Sequence, residues 1–364
     1  MRVVVGMSGG VDSSVAAMLM KRAGHEVIGV FMKNWEEKDA AGVCTSERDW
    51  SDARAVCEHL DIPYYSVNFS KQYWDRVFEH FLEEYRRGRT PNPDVLCNRE
   101  IKFNVFLDFA EQLGAEKLVT GHFANIDCVN GEYRLLRAAD ENKDQTYFLY
   151  MINQRALSKA LFPVGNLTKA QARQLARDNG IPVSEKKDST GVCFIGERNF
   201  KQFLSNYLPA QPGDMVTLDG RVVGRHDGLM YYTLGQRRGL GIGGGGDGRR
   251  WFVVKKDLEK NVLVVQQGED SPLLYTHAAA GSALTWLSGR APAPDGVACE
   301  CQVRLRHRQP LQRCTLTLSD GVARMSFPDA QRAVTPGQSA VFYLDQVCLG
   351  GAIVDSASPD LPEP

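Results

Sequence analysis

One glycine-rich string and two cysteines carry the chemistry that this chain spells out most openly. Ser8-Gly9-Gly10-Val11-Asp12-Ser13-Ser14 follows a short Val-rich run and opens an apolar periodic stretch. Its two glycines let the backbone turn tightly and approach an anion. The N-terminus of the helix that follows offers unpaired N–H groups and a partial positive charge. Ser8, Ser13 and Ser14 add hydroxyl donors, and Asp12 is placed to cap the helix or to hold a metal. A lone Gly-Gly is no more than a turn, but the full string suits a pyrophosphate. It is not a Walker A loop, since GxxxxGK[ST] does not occur. Cys97 lies in the 90–98 stretch TPNPDVLCN, where two prolines and two asparagines mark an irregular loop between helices. Cys193 lies in the glycine-flanked 188–196 stretch DSTGVCFIG. Cysteines on loops beside polar residues are accessible thiolates; two unrelated buried thiols are the plain alternative.

The remaining cysteines, Cys44, Cys57, Cys128, Cys299, Cys301, Cys314 and Cys348, sit in or near apolar runs and read as packing residues. Cys299 and Cys301 would share one face of a strand, with no third or fourth metal ligand in evidence. Nine cysteines without CxxC spacing give neither a disulfide framework nor a zinc signature.

These groups need a scaffold, and the first half of the chain supplies alternating strand and helix patterns. Strands are expected at 2–6, 26–33, 64–69 and 117–120, and helices at 12–23, 46–60, 70–87 and 101–113. Tyr73, Val77, Phe81 and Tyr85 would line one face of the 70–87 helix. This alternation predicts an α/β fold, a parallel sheet with helices on both faces. A hairpin turn is expected at Asn130-Gly131, and helices at 154–162, 168–179 and 198–208. Beyond Pro209 short apolar runs separated by Gly, Pro, Asp and Asn suggest small β-rich domains or barrels. The expected division is a catalytic domain at 1–208, a β-rich domain at 209–277, a C-terminal β-barrel at 278–356 and a frayed tail at 357–364.

Composition sets outer limits. Forty-three basic residues face 44 acidic ones, which excludes a uniformly basic nucleic-acid coat but not a local basic groove. Two clusters could form one: Arg237, Arg238, Arg249 and Arg250, and Arg304, Arg306, His307 and Arg308. No apolar run approaches the ~18–20 residues of a membrane span. The N-terminus has no basic region before an apolar stretch, so a cytoplasmic address and no membrane partner are expected.

The loop resembles the PP-loop, SGGxDSS, of enzymes that split ATP between its α and β phosphates, adenylate an oxygen and let a nucleophile displace AMP. With PNPDVLCNREIKF, GHFA, KDQTYFL, DSTGVCFIGER, YTLGQRRGLGIGG and WFVVKKD added, nearly the whole chain resembles the tRNA-specific 2-thiouridylase family of the bacterial MnmA type. The resemblance implies replacement of O2 of the tRNA wobble uridine by sulfur after ATP adenylates that oxygen. It implies a persulfide on Cys193 and a partner role for Cys97. Either the persulfide attacks C2, with a Cys97–Cys193 disulfide formed on release, or sulfide freed by Cys97 attacks. Asp94 is the candidate general acid/base, with turn capping as the alternative. Gly6, Met7, Ser8, Gly9, Gly10, Val11, Asp12, Ser13, Met32 and Gly121 match the family's ATP contacts. Asn92, Pro93 and Asp94 match the base-contacting segment. His122, Lys143, Asp144, Gln145, Arg304, Leu305, Arg306 and Gln338 are implied or plausible tRNA contacts. ATP with Mg²⁺, tRNA, and a cysteine desulfurase or sulfur-relay protein are the implied cofactors and partners. The chain departs from the pattern at Phe123, Asn125 and Leu305, changes expected to trim tRNA affinity. Two alternatives stay open: another PP-loop synthetase, which needs no cysteine pair, and a tRNA-binding protein without chemistry.

Overall fold

The computed structural model of the chain describes residues 1–35, 45–188, 200–243 and 248–357. The chain begins with β1 (Arg2–Met7), α1 (Val11–Arg22), β2 (Glu26–Lys33), β3 (Tyr64–Asn68) and β4 (Lys117–Val119). A hairpin, β5 (Asn125–Val129) and β6 (Glu132–Leu136), and a short strand β7 (Ala160–Leu161) follow. Five of these strands form one parallel sheet in the order β3-β2-β1-β4-β7. Val3, Val4 and Val5 of the central strand are wholly buried, as a strand covered on both faces requires.

The helical expectations hold with three changes. Residues 70–86 are helical throughout, with Tyr73, Val77, Phe81 and Tyr85 buried, but Trp74–Phe78 forms a π-helical turn. The 90–98 stretch is irregular only as far as Asn92. Pro93 opens a short helix, Pro93–Leu96, which runs straight into a π-helical segment, Cys97–Val105, and then the helix Phe106–Gln112. Proline at the first helical position lacks only an N–H that would be unpaired anyway, so Pro93 starts a helix here instead of breaking one. The helix expected at 154–162 stops at Lys159. Ala160 and Leu161 pair with Leu118 and Val119 as the sheet's fifth strand, and Pro163 favours extended backbone just before it.

Past residue 208 the chain is β-rich, as expected. β8 (Gly213–Val216), β9 (Val222–His226), β10 (Trp251–Asp257) and β11 (Val262–Gln267) form a sheet in the order β10-β11-β8-β9. Its core holds Met215, Tyr232, Trp251, Val253, Leu263 and Val265. β12 (Tyr275–Trp286), β13 (Ala298–Arg304), β14 (Gln312–Ser319), β15 (Val322–Arg332), β16 (Ser339–Leu344) and β17 (Val347–Ser356) run in the order β12-β15-β14-β13-β16-β17. Pairing of β12 with β17 closes them into a six-stranded barrel. Asn130 and Gly131 both have positive φ, 53° and 82°, and close the β5–β6 hairpin where the sequence places it. That hairpin does not stay with its own sheet: Leu135 and Leu136 pair with Cys348 and Val347 of β17. The first domain and the barrel are therefore welded by a shared sheet. Among the described residues, no helix is long and apolar enough to cross a membrane.

Candidate active site

The glycine-rich string lies between β1 and α1, at the carboxyl end of the parallel sheet, where open α/β sheets bind ligands. Gly9 has φ +72°, and a Cβ there would strike the carbonyl of Asp49. Gly10 caps α1 with extended backbone, and no side chain caps the helix, so its first N–H groups point out of the loop. The hydroxyls hold the loop's shape: Ser8 N–H donates to Ser13 Oγ (3.2 Å), Ser8 Oγ lies 3.0 Å from Ser13 Oγ, and Ser14 Oγ donates to the Gly10 carbonyl (2.7 Å). Asp12 does not cap the helix. Its Oδ1 takes the Lys169 ammonium at 2.6 Å.

Two further residues matched to ATP converge on this loop. A Cβ on Gly121 would sit 2.5 Å from Ser13 N and 2.6 Å from the Asp12 carbonyl carbon, so only glycine lets the turn after β4 touch the start of α1. Met32 Cε lies 3.6 Å from where a Cβ on Gly6 would stand, with the Phe106 ring 3.1 Å from the same point. Val11 and Met7 are buried in the core beneath.

His122 follows Gly121 and is buried. Burial, then the charge of Lys102, pushes its imidazole pKa well below the ordinary range, so it is neutral. Lys102 Nζ lies 3.4 Å from Nε2, and an ammonium can only donate. Nε2 is thus the acceptor, and Nδ1–H donates to Thr120 Oγ1 at 2.7 Å. Burial raises the Asp94 carboxyl, with the charge of Lys102 opposing. Burial thus favours the protonated form of Asp94 and disfavours that of His122, with the charge of Lys102 acting on both, an arrangement suited to proton exchange. Lys102 stands five residues after Cys97, the step of one π-helical turn, so the π segment sets lysine and cysteine on one side of the helix. Contacts thus run from Ser13 through Gly121, His122 and Lys102 to the Cys97 turn.

Cys97 itself corrects an expectation. It is 1% exposed and lies in the hydrophobic core, not on an accessible loop. Asn98, also buried, donates from Nδ2 to the Phe148 carbonyl at 2.9 Å and pins the turn. Cys193 and the rest of residues 189–199 lie outside the described residues. Asp188, just before them, is an anchor. Its carboxylate takes Lys143 (2.7 Å), Lys169 (2.8 Å) and Arg173 (2.6 Å). Burial alone would raise its pKa, but hydrogen bonds from Lys143 and Lys169 hold it well below the usual range. Lys186 donates to the Gly9 carbonyl (3.0 Å) and to Asp49 (2.8 Å) and Asp52 (2.6 Å), tying the loop to the helix Thr45–His59. None of Lys102, Lys169, Arg173 or Lys186 stood out in the sequence. Thr168, whose capping box with Gln171 starts the helix Lys169–Asp178, was the signal that could have placed Lys169 at a helix head.

The residues matched to tRNA contacts divide. Gln145 closes on the His122 turn, accepting from Phe123 N–H at 2.9 Å. Asn92 bonds the Tyr147 hydroxyl, and the buried Pro93 opens the helix that carries Asp94. Asp144 and Arg304 face each other as a buried ion pair at 2.7 Å, side chains 0% and 3% exposed. Leu305 is buried, and Arg306 donates to the carbonyls of Ala333 and Leu234. Gln338 donates to the Thr90 carbonyl at 2.7 Å. In this structure Arg304 and Leu305 are buried, Arg306 and Gln338 are half-buried, and Gln338 holds Thr90 just before the segment that carries Asp94 and Cys97. Of the second basic cluster only Arg308 is exposed, whereas Arg237, Arg238, Arg249 and Arg250 are all exposed. The departures Phe123 and Leu305 point inward, and Asn125 holds the Arg137 and Gly165 carbonyls, so all three act on packing. Cys57, Cys301, Cys314 and Cys348 are buried as expected; Cys128 is exposed and Cys299 half-buried, and Cys44 lies outside the described residues.

Comparison with known proteins covers nearly the whole chain. The family description "tRNA methyl transferase HUP domain" matches residues 1–197, "tRNA methyl transferase PRC-barrel domain" residues 201–267 and "Aminomethyltransferase beta-barrel domain" residues 276–354. The tRNA-specific 2-thiouridylase MnmA of Alkaliphilus oremlandii is 60% identical over 97% of this chain and 97% of its own. That of Bacillus velezensis is 56% identical over 99% of this chain and 96% of its own, and that of Bacillus subtilis 55% over the same shares. The chain belongs to the tRNA-specific 2-thiouridylase family. The family descriptions of single domains speak of methyl transfer, but identity this high over the whole length ties all three parts to the thiouridylases together.

Proposed function

We propose that the protein replaces the 2-oxygen of the tRNA wobble uridine with sulfur at the expense of ATP. The observation that carries this is the uncapped head of α1 in the string Ser8 to Ser14, brought through Gly121, His122 and Lys102 to the turn that bears Asp94 and Cys97. Methyl transfer calls for no such anion-binding loop.

A uracil carbonyl oxygen does not leave as oxide. The N–H groups of Gly10 to Ser13 and the loop hydroxyls bind the phosphates of ATP, with Gly6 and Met32 beside the adenosine. Asp12, the loop's carboxylate, would be the residue to help hold a Mg²⁺ bound with the nucleotide, and the ion would neutralise phosphate charge there. The C2 oxygen attacks the α-phosphate and pyrophosphate leaves, so the oxygen now departs as AMP. Lys102 and neutral His122 face the developing charge, and Asp94 gives or takes the proton. The base reaches them flipped from its stack, held by Asn92 to Asp94. A persulfide on Cys193, loaded by a cysteine desulfurase or relay protein, delivers its outer sulfur to C2 and expels AMP. Cys97 then attacks the Cys193 sulfur, releasing the thiolated base and leaving a disulfide that an external thiol reduces. In the second order of events Cys97 frees the sulfide first, and sulfide attacks C2. Either order requires the buried Cys97 to become exposed during turnover. The exposed arginines at 237, 238, 249 and 250 are the groups best placed to meet tRNA phosphates.

The test is incubation with ATP, Mg²⁺, a sulfide source and unmodified tRNA, followed by nucleoside mass analysis. ATP-dependent exchange of one oxygen for sulfur at the wobble uridine supports the proposal. ATP cleavage without thiolated uridine, even with a persulfide donor added, refutes it. With the relay donor, Cys193→Ser abolishes thiolation yet leaves ATP binding intact.

A further inference from the structure

Among the described residues, the cations that meet Asp188 outnumber the carboxylates their side chains contact. Lys143, Lys169 and Arg173 all contact Asp188, and Lys169 alone continues to Asp12. Among the described residues, three cationic side chains thus contact two carboxylates, with Asp140 close by on the Lys169 backbone N–H (2.9 Å), and the uncapped N-terminus of α1 adds positive potential of its own. Lys169 is 12% exposed and Arg173 23%, so water screens this surplus only partly. Lys186 is a different case: Asp49 and Asp52 neutralise it, and it serves to hold the Gly9 carbonyl.

A guanidinium and two ammonium groups gathered on carboxylate oxygens at 2.6–2.8 Å are the donor set that a phosphate oxygen takes. Lys169 joins that set to the loop, because the Asp12 it holds lies in the first turn of α1. Lys143 has a second possible duty toward tRNA, which leaves Lys169 and Arg173.

We infer that Lys169 and Arg173 bind the polyphosphate of ATP, and that Asp188 is the internal anion that holds their place until the nucleotide arrives. The inference rests on the reading of the Ser8-to-Ser14 loop as an ATP site. Before nucleotide binds, Asp188 satisfies the two cations. Incoming phosphate oxygens compete for the same N–H donors, and Asp188 gives them up while keeping Lys143. Asp188 is therefore a competitor of the ligand, and its loss should strengthen phosphate binding. A carboxylate that merely staples the loop in place would have the opposite effect when removed.

The experiment titrates inorganic pyrophosphate with MgCl₂, and separately ATP, into the full chain by calorimetry, without tRNA or sulfide. Lys169→Met and Arg173→Met are expected to weaken pyrophosphate binding at least tenfold, with tRNA affinity unchanged. Lys169→Arg, which keeps the charge, is expected to restore most of it. Asp188→Asn is expected to bind pyrophosphate several-fold tighter than the wild type. Thermal melting of every variant checks that it is folded. Wild-type affinity in Lys169→Met, or weaker binding in Asp188→Asn, overturns the inference. Ser13→Ala separates the two readings. If it loses pyrophosphate while Lys169→Met keeps it, the loop stands as the ATP site and only this inference fails. If the wild type binds neither ATP nor pyrophosphate, both fail.

Discussion

Removing the carboxylate of Asp144 should cost more stability than removing any surface charge in this protein. Asp144 Oδ2 takes Arg304 Nη1 at 2.7 Å and the Thr146 hydroxyl at 2.8 Å, and Oδ1 takes the Ala138 N–H at 3.1 Å. Arg304 lies 5.5 Å from the Tyr343 ring centroid, and its Nε has no hydrogen-bond partner among the described residues. In Asp144→Ala the guanidinium stays buried with its counter-ion gone. Breaking a buried pair from one side costs about 3–5 kcal/mol, which is roughly a hundredfold to a few thousandfold in the folding equilibrium. The exposed pair Arg313–Asp329, at 3.4 Å with both side chains over 70% exposed, is the control, worth about 0–1 kcal/mol. The assay is the urea midpoint of Asp144→Ala, Arg304→Met, the double variant Asp144→Leu with Arg304→Met, and Asp329→Ala. The double variant should regain at least half of the loss, because no charge is then left buried. A shift in Asp144→Ala no larger than that in Asp329→Ala refutes the claim that this pair locks the barrel to the catalytic domain.

Other outcomes follow from the same geometry. Gly121→Ala places a methyl 2.5 Å from Ser13 N, so ATP affinity should drop at least tenfold while the melting temperature moves by only a few degrees. His122 and His307 both titrate below the ordinary 6.5 when folded, the first well below it and the second at about 4, each chiefly through burial. The unfolded chain therefore binds protons that the folded one refuses. The stability these residues contribute is full above pH 6.5 and is lost as pH falls toward 4; His307→Gln should flatten that slope in pH-dependent melting. Burial pushes the Lys256 amine down to about 8, so after ¹³C-methylation its NMR signal should titrate near 8, apart from the exposed lysines. A Lys256 midpoint above 10 would show that the amine is in water.

The sequence was most readable where local rules and burial agree. The Val-rich β1, the Gly9–Gly10 turn and the Asn130-Gly131 hairpin formed where expected, because each depends on backbone chemistry a few residues long. Cys97 misled because Pro93 can end one element or begin the next, and only tertiary packing chooses. The burial of Arg304 was hidden for a related reason. A basic run reads as a solvated face unless a partner is known, and Asp144, 160 positions away, takes Arg304 out of water. The cations around Asp188 come from two stretches, Lys143 and the helix that carries Lys169 and Arg173, and Asp188 from a third, so no short-range signature joins them. Their convergence is a property of the fold.

The most direct measurement of the account follows one oxygen atom. A tRNA carrying ¹⁸O at C2 of the wobble uridine is converted with ATP and a sulfur donor, and the released AMP is weighed. Adenylation of the uracil oxygen requires one ¹⁸O in AMP for each uridine thiolated. Thiolated uridine with the label in water or phosphate, and unlabelled AMP, would contradict it.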